Sequence, residues 1–389
     1  MRLVYVAFNG SIHTRRWVAF FAERGHEVHV VTCGGADAVD RTADGEVIGR
    51  TWIVHDLGAP RWGKLGYLFK ARRARRVIRQ LNPDLVHVHW LTSYGLLAVM
   101  AGVRPLVATA HGDDVLIAPR KPWMRWLVRR VLAAASLVTV PSEQMREAVV
   151  ELDVVAPDVP IEVYQYGVEV ARLADLGSSI RSARHAQAAV REAGTTHSVR
   201  VVSTRAMLDI YRLDVVIDAI VVLHHDGLDV RCEIVGDGPQ RGQLEQMVRD
   251  ANIGHLVTFH GHISAAEVER IVADSDIYVS VASSDGVSLS MLEAMALGAV
   301  PVLSDIPANR SWIHDGHTGV LVDIDPSALA GGIRRALELD PWRVARDNVA
   351  VVAERADMAT NLIACEQAYD DLAGVRWDPT PLGDGVDAA

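Results

Sequence analysis

Short apolar runs, each followed by a glycine- or acid-bearing loop and then a helix-forming segment, recur along this chain and admit few folds. The clearest unit is Ile277–Ala282 (IYVSVA), a Ser/Asp/Gly loop, a helix expected over Met291–Leu297 with Gly298 as its stop, and a further apolar run, Ala299–Leu303. Strands that are apolar throughout, rather than alternating, are buried on both faces, as in parallel sheets. A strand–loop–helix–strand unit sets its loop at the carboxyl edge of such a sheet, where open α/β sheets take ligands.

The same grammar runs through both halves. Strands are expected at Leu3–Phe8, Glu27–Thr32, Trp52–Val54, Leu85–Trp90, Leu106–Thr109, Leu137–Val140 and Ile161–Tyr164. They resume at Val199–Ser203, Arg231–Val235, Val257–Phe259, Ile277–Ala282, Ala299–Leu303 and Val320–Asp323. A chain of 389 residues exceeds one ordinary core. The expectation is two sequential parallel α/β domains, 1–167 and 199–356. Residues 168–198, with a helical middle over Ser182–Glu192, read as an interdomain connection, 357–374 as a C-terminal helix returning toward the N-terminal domain, and 375–389 as a tail.

Charge narrows the partners. Forty-nine acids against 39 Lys/Arg argue against nucleic acid. Cys33, Cys232 and Cys365 lack metal-ligand spacing and suit a reducing compartment. The first apolar run is too short for a signal peptide, and no window is long enough to span a membrane, so a soluble, cytoplasmic protein is expected. Two stretches run against the acidic balance: Arg61–Arg79 holds eight Lys/Arg and no acid, and Arg120–Arg130 holds five, interleaved with Trp123 and Trp126. Each is either a solvated helix face or an interfacial surface for anionic headgroups, which would place the protein peripherally at the inner membrane surface.

Several loops carry candidate chemistry. Asp285 and Glu293 lie eight positions apart across a loop and the start of a helix, able to grip hydroxyls beside amides that would meet an anion. Ser290-x-x-Glu293 also reads as an ordinary capping box. Asn9-Gly10-Ser11 follows the first strand, as a ligand loop or a tight turn. His111 stands in Ala110-His111-Gly112-Asp113-Asp114 at a strand end, a site group or a hydrogen-bonded structural histidine. Val235-Gly236-Asp237-Gly238-Pro239 lacks the spacing of a dinucleotide fingerprint. Asp274-Ser275-Asp276 and Asp323-Ile324-Asp325 flank strands and are not read as metal sites.

In order, VGDGP, TFHGHIS, DSDIYVSVASSDGVSLSMLEAMALGAVPVLSD and HDGHTGVLVD resemble the family-4 (group 1) glycosyltransferases of GT-B fold, over about Val199–Asp323. GHEVHVVT, PDLVHVHW, HGDDV and VPSEQMRE continue the likeness more loosely in the first half. The resemblance implies two Rossmann-like parallel α/β domains facing across a cleft. It also implies a retaining, metal-independent transfer from a UDP- or GDP-linked sugar to a glycan, lipid-linked or small-molecule acceptor, with no cofactor. By the same resemblance Glu293 holds the ribose and Asp285, where the family has Glu, the transferred sugar. Gly286, Val287, Ser288 and Leu289 offer amides to sugar and phosphate, and Arg205 meets the diphosphate. His111 lies near the anomeric centre, Gly10 and Ser11 beside the phosphates, Gly236 in the glycine-rich loop, and Gly261-His262-Ile263 against the base. The family's Lys-Gly pair is replaced by Ile210-Tyr211-Arg212-Leu213, with Arg212 as the substitute cation. A sugar-nucleotide epimerase or hydrolase, and a two-lobed sugar-binding protein, stand as alternatives.

Overall fold

The computed structural model describes residues 1–35, 51–60, 66–190 and 198–374. The expected tail from Arg376, residues 191–197 of the expected connection, and residues 61–65 of the first basic stretch lie outside these. The chain divides into two compact units: one takes in residues up to Tyr166 together with those from Ala359 on, the other Gly167–Met358.

The first unit is built on a seven-stranded sheet. Its strands are β1 (Arg2–Val6), β2 (Glu27–Thr32), β3 (Ile53–Asp56), β4 (Leu85–His89), β5 (Leu106–Thr109), β6 (Leu137–Val140) and β7 (Ile161–Val163), in the order β3-β2-β1-β4-β5-β6-β7. All pairings are parallel; β1 lies between β2 and β4 with Val4 opposite both His29 and Val86. The strands are buried along nearly their full length, the edge strands β3 and β7 excepted. The first strand ends at Val6, short of the expected Phe8, whose ring is largely exposed.

The second unit repeats the plan with six parallel strands: β8 (Val199–Ser203), β9 (Val230–Val235), β10 (Val257–Gly261), β11 (Ile277–Ser280), β12 (Val300–Ser304) and β13 (Val320–Val322), in the order β10-β9-β8-β11-β12-β13. In both sheets the order reverses once, between β1 and β4 and between β8 and β11. At such a reversal the helices leave to opposite faces and open a crevice past the strand ends.

One helix crosses an expected boundary. Most of the stretch read as a connection is one helix, Val170–Val190, in which Leu173, Leu176 and Ile180 join the apolar cluster of the second unit. A Cβ on Gly177 would collide with the carbonyl of Leu297, so a glycine is needed for this helix to lie against the Leu289–Leu297 helix. The last helix, Met358–Ala373, completes the first unit. Tyr369 is buried against Phe21 and Tyr5, and Glu366 accepts from Arg24 (2.6 Å) and meets His26 (2.7 Å) in the interior. Burial alone would raise the Glu366 carboxyl, but Arg24 and His26 hold it below the ordinary range. Among the described residues no helix is long and apolar enough to cross a membrane.

Candidate active site

The crevice at the β8/β11 reversal holds the densest polar cluster of the second unit. Arg205, two residues past β8, is buried. Its Nη2 donates to Asp285 Oδ2 at 2.6 Å, and its Nη1 to Ser290 Oγ at 3.2 Å and to Ser288 Oγ. Tyr278, at the centre of β11, donates its hydroxyl to Ser290 Oγ at 2.9 Å. The Arg205 guanidinium lies 4.0 Å from the centre of the Tyr211 ring. Burial works against the charge, but Tyr278, Asp285 and Tyr211 outweigh it and the arginine is held firmly cationic. Its Nε is buried with no partner among the described residues. That leaves one donor for a bound anion.

The helix behind this cluster begins two residues earlier than expected, as Leu289–Leu297. Its N-cap is Ser288, which accepts from the amide of Met291 at 3.3 Å, so the expected Ser290–Glu293 box does not close the helix. Ser290 instead points its hydroxyl at Arg205. Glu293 sits one turn into the helix, half-buried, and Asp285 is braced by the Gly286 amide at 2.9 Å. Gly286 is open to solvent, while Val287 and Leu289 pack their side chains against the apolar cluster of the second unit.

Gly236 and Gly261 are drawn to the same place. Gly236 donates to the carbonyl of Gly261 at 3.0 Å, and a Cβ on it would lie 2.9 Å from the Arg205 carbonyl, at a φ of +131° that side chains avoid. His262 is exposed and Ile263 half-buried beside them. Arg212, expected as the substitute cation, adopts a left-handed φ of +46° and holds its guanidinium on Asp214 at 2.9 Å. The neighbouring Tyr211 lies against Arg205 and contributes a π face.

In the first unit, the loops past β1, β4 and β5 meet at the other reversal. His111 stacks on Trp90 (ring centres 4.1 Å apart) and on Tyr166 (5.2 Å), with His89 at 5.0 Å. His111 is half-buried; among the described residues its buried Nε2 has no partner, and burial pushes the imidazole well below its usual value. The loop is fixed by Asp114, fully buried, which accepts from the amides of His111 and Gly112 (both 3.0 Å) and of Leu91 (2.9 Å). Burial raises this carboxyl, and the amides counter part of the shift. His13 and His89 are likewise neutral, lowered by burial to about 4 and about 3.

Gly10 lies where a Cβ would strike the ring of Phe8 at 2.5 Å, and Gly35 packs on its amide. Asn9 is locked by Thr32, Gly35 and Trp52. Ser11 stands at the N-cap of the Ile12–Glu23 helix without a side-chain cap bond. Asp276 is held by Arg184, and Asp325 caps the Pro326–Leu337 helix, which accounts structurally for both Asp-x-Asp pairs. Among the described residues no group of three or more His, Cys, Asp or Glu is placed to hold a metal.

Family models now add to this geometry. The "Glycosyl transferase 4-like" model matches residues 2–142, and the "Glycosyl transferases group 1" model matches residues 198–350. This chain belongs to the family-4 glycosyltransferases. The transferase is 24% identical over 314 residues to N-acetyl-alpha-D-glucosaminyl L-malate synthase of Bacillus anthracis, covering 78% of this chain and 77% of the relative. It is 29% identical over 295 residues to a GDP-mannose-dependent alpha-(1-6)-phosphatidylinositol monomannoside mannosyltransferase of Mycolicibacterium smegmatis, covering 72% and 74%. Among solved structures, HepE of Anabaena in complex with UDP superposes with a TM-score of 0.71 at 17% identity, over 96% of this chain and 100% of that one. The fold of this glycosyltransferase is therefore GT-B, and its work lies in glycoconjugate biosynthesis.

Proposed function

We propose that this glycosyltransferase moves a hexosyl group, with retention, from a UDP- or GDP-linked sugar to a lipid-linked or glycan acceptor, without a metal ion. The observation that carries the proposal is the buried Arg205, with an unpartnered Nε, beside the N-terminus of the Leu289–Leu297 helix at the sheet reversal. A departing diphosphate needs fixed positive charge in a water-poor place, and a buried guanidinium with helix amides supplies it. Two relatives lend support for the donor base: one is named as GDP-mannose-dependent, and the HepE structures hold UDP and UDP-glucose.

In this reading Glu293 grips the ribose and Asp285 the hydroxyls of the transferred sugar, giving up Arg205 to the phosphates as donor binds. Gly261-His262-Ile263 line the base. The bond from the anomeric carbon to the diphosphate oxygen breaks as the acceptor oxygen attacks the same face. The acceptor's proton passes to the leaving phosphate oxygen. His111, neutral, offers a ring nitrogen to the sugar without adding charge beside a developing cation. The basic helix faces of the first unit bring the enzyme to an anionic lipid surface, where a lipid-linked acceptor resides.

Titration calorimetry with UDP and GDP, beside donor turnover measured in EDTA, tests this. Glu293→Ala is expected to weaken nucleotide binding about tenfold or more, and Asp285→Ala to lower turnover while nucleotide still binds. Unchanged behaviour in both variants would overturn the assignment.

A further inference from the structure

The first unit carries an apolar groove that the transfer reaction does not use. It has a volume of about 200 Å³ and is lined by Leu68, Leu96, Trp123, Met124, Trp126 and Leu127, with Thr92 and Ser93 at one end. Leu68 comes from the Gly66–Leu81 helix, Leu96 from Ser93–Ala101 and the last four from Pro122–Leu132. Leu68, Trp123 and Trp126 are about half exposed, at 49%, 54% and 59%. Two indoles and a leucine gathered around a concave apolar surface mark a contact site rather than scattered surface hydrophobics.

The charge beside the groove says what fits it. Arg72, Arg75, Arg76 and Arg79 follow Leu68 at helical spacing, so the groove opens onto a stripe of four guanidiniums on one helix face. All four are exposed, and neither the Gly66–Leu81 nor the Pro122–Leu132 helix contains an acid. On the second helix Arg130 lies over the Trp126 ring, 5.3 Å from its centre, so cation and indole share one rim. In a chain of net charge −10 this concentration of cations is local. An apolar slot flanked by indoles and arginines matches a molecule with one hydrocarbon part and one anionic part.

We propose that the groove takes a hydrocarbon chain of an anionic membrane lipid whose phosphate lies on the Arg72–Arg79 stripe. This rests on the reading of the basic faces as a lipid-surface contact and adds to it a chain-binding site. The lipid is thereby held by shape as well as charge, and the first unit is anchored in one orientation on the bilayer.

The test uses the full chain and a soluble single-chain lipid, lysophosphatidylglycerol below its micellar concentration, with glycerol phosphate and lysophosphatidylcholine as comparisons. The expected result is binding of lysophosphatidylglycerol at least about tenfold tighter than either, since each misses one half of the site. Ser93→Phe, which fills the groove and leaves every arginine, abolishes that preference over glycerol phosphate. Leu68→Asp does the same from the opposite wall and serves if the first variant unfolds. Arg72→Glu with Arg76→Glu lowers co-sedimentation with phosphatidylglycerol vesicles about thirtyfold. Glycerol phosphate bound as tightly as the lysolipid would overturn the chain site while leaving the charged contact standing. Equal recovery with anionic and neutral vesicles would overturn both. Neither result touches the transferase assignment, which the nucleotide titration reads separately.

Discussion

At the strand reversal of the first unit, polar function is carried by rings: His13, His89, His111, Trp90 and Tyr166 stack on one another, and among the described residues buried ring nitrogens of the three imidazoles find no partner. At the matching reversal of the second unit it is carried by ions: Arg205 lies on Asp285, two serine hydroxyls and the face of Tyr211. The two sheets share a parallel plan and a single change of direction, so the backbone sets where a ligand is met and says nothing of its charge. The difference lies in what each edge can stabilise. Neutral rings in a desolvated place suit sugar faces and uncharged hydroxyls, whereas a buried cation beside a helix N-terminus suits phosphate.

That contrast can be broken at its strongest point first. Arg205→Ala is expected to lower kcat/KM about a thousandfold with an unchanged melting profile, because the leaving group loses the buried guanidinium at this strand edge. Arg205→Lys regains little of this, since an ammonium does not reach Asp285, Ser288 and Ser290 at once. Loss of fold rather than of rate would show that the cation braces the core.

In the ring-lined edge the corresponding fixture is a carboxylate. Asp114→Ala strips the amides of Leu91, His111 and Gly112 of their buried acceptor and is expected to cost about 3 kcal/mol in denaturant unfolding. Asp114→Asn, which keeps one acceptor oxygen, falls between. A loss under about 1 kcal/mol would mean that water replaces the carboxylate there.

Tyr211→Leu removes the π face beneath Arg205 and is expected to weaken UDP binding about tenfold, the scale of a desolvated cation–π contact. Tyr211→Lys restores the family's second cation and shifts affinity the other way for UDP but not for uridine. Identical changes for both ligands would place Tyr211 on the nucleoside rather than the phosphates.

The smallest effect separates the edges by pH. Imidazoles held below their ordinary value stay neutral in the folded chain, while those of the unfolded chain take up protons from about pH 6.5 downward. Stability that is intact above that pH is therefore lost as pH falls, with folded values of about 4 for His13 and about 3 for His89. Between pH 6.5 and 5.5, His89→Phe is expected to reduce this loss by about 1 kcal/mol in urea denaturation. An unchanged slope would show the buried rings already protonated.

The strands of both sheets were legible because residues buried on both faces leave uninterrupted apolar runs, and nearly every expected strand lies within two residues of its place. The Val170–Val190 helix was half hidden. Its apolar residues Leu173, Leu176 and Ile180 are diluted by Ala, Ser and Arg, and Gly177 looks like a break until the carbonyl it accommodates is known. The helix start at Ser288 was obscured by a better local candidate, Ser290, whose hydroxyl is claimed by an arginine 85 positions away. His111 was found at its strand end, but His13 and His89 were not, because only the pairing of β1 with β4 brings their loops together. Tyr211 had no signal at all: it sits on an irregular turn, and the left-handed Arg212 after it decides which way the ring faces.

The return of the last helix has a bearing on how this chain comes into being. Arg24 and His26 are made some 340 residues before the carboxylate that meets them, Glu366, and before the phenol that packs with Tyr5, His87 and Phe21, Tyr369. A ribosome-bound fragment ending at Tyr166 therefore holds every strand of its sheet but lacks the helix that covers one flank. The half that is begun first is finished last, and a stop codon a few residues before 366 injures the beginning of the protein rather than its end.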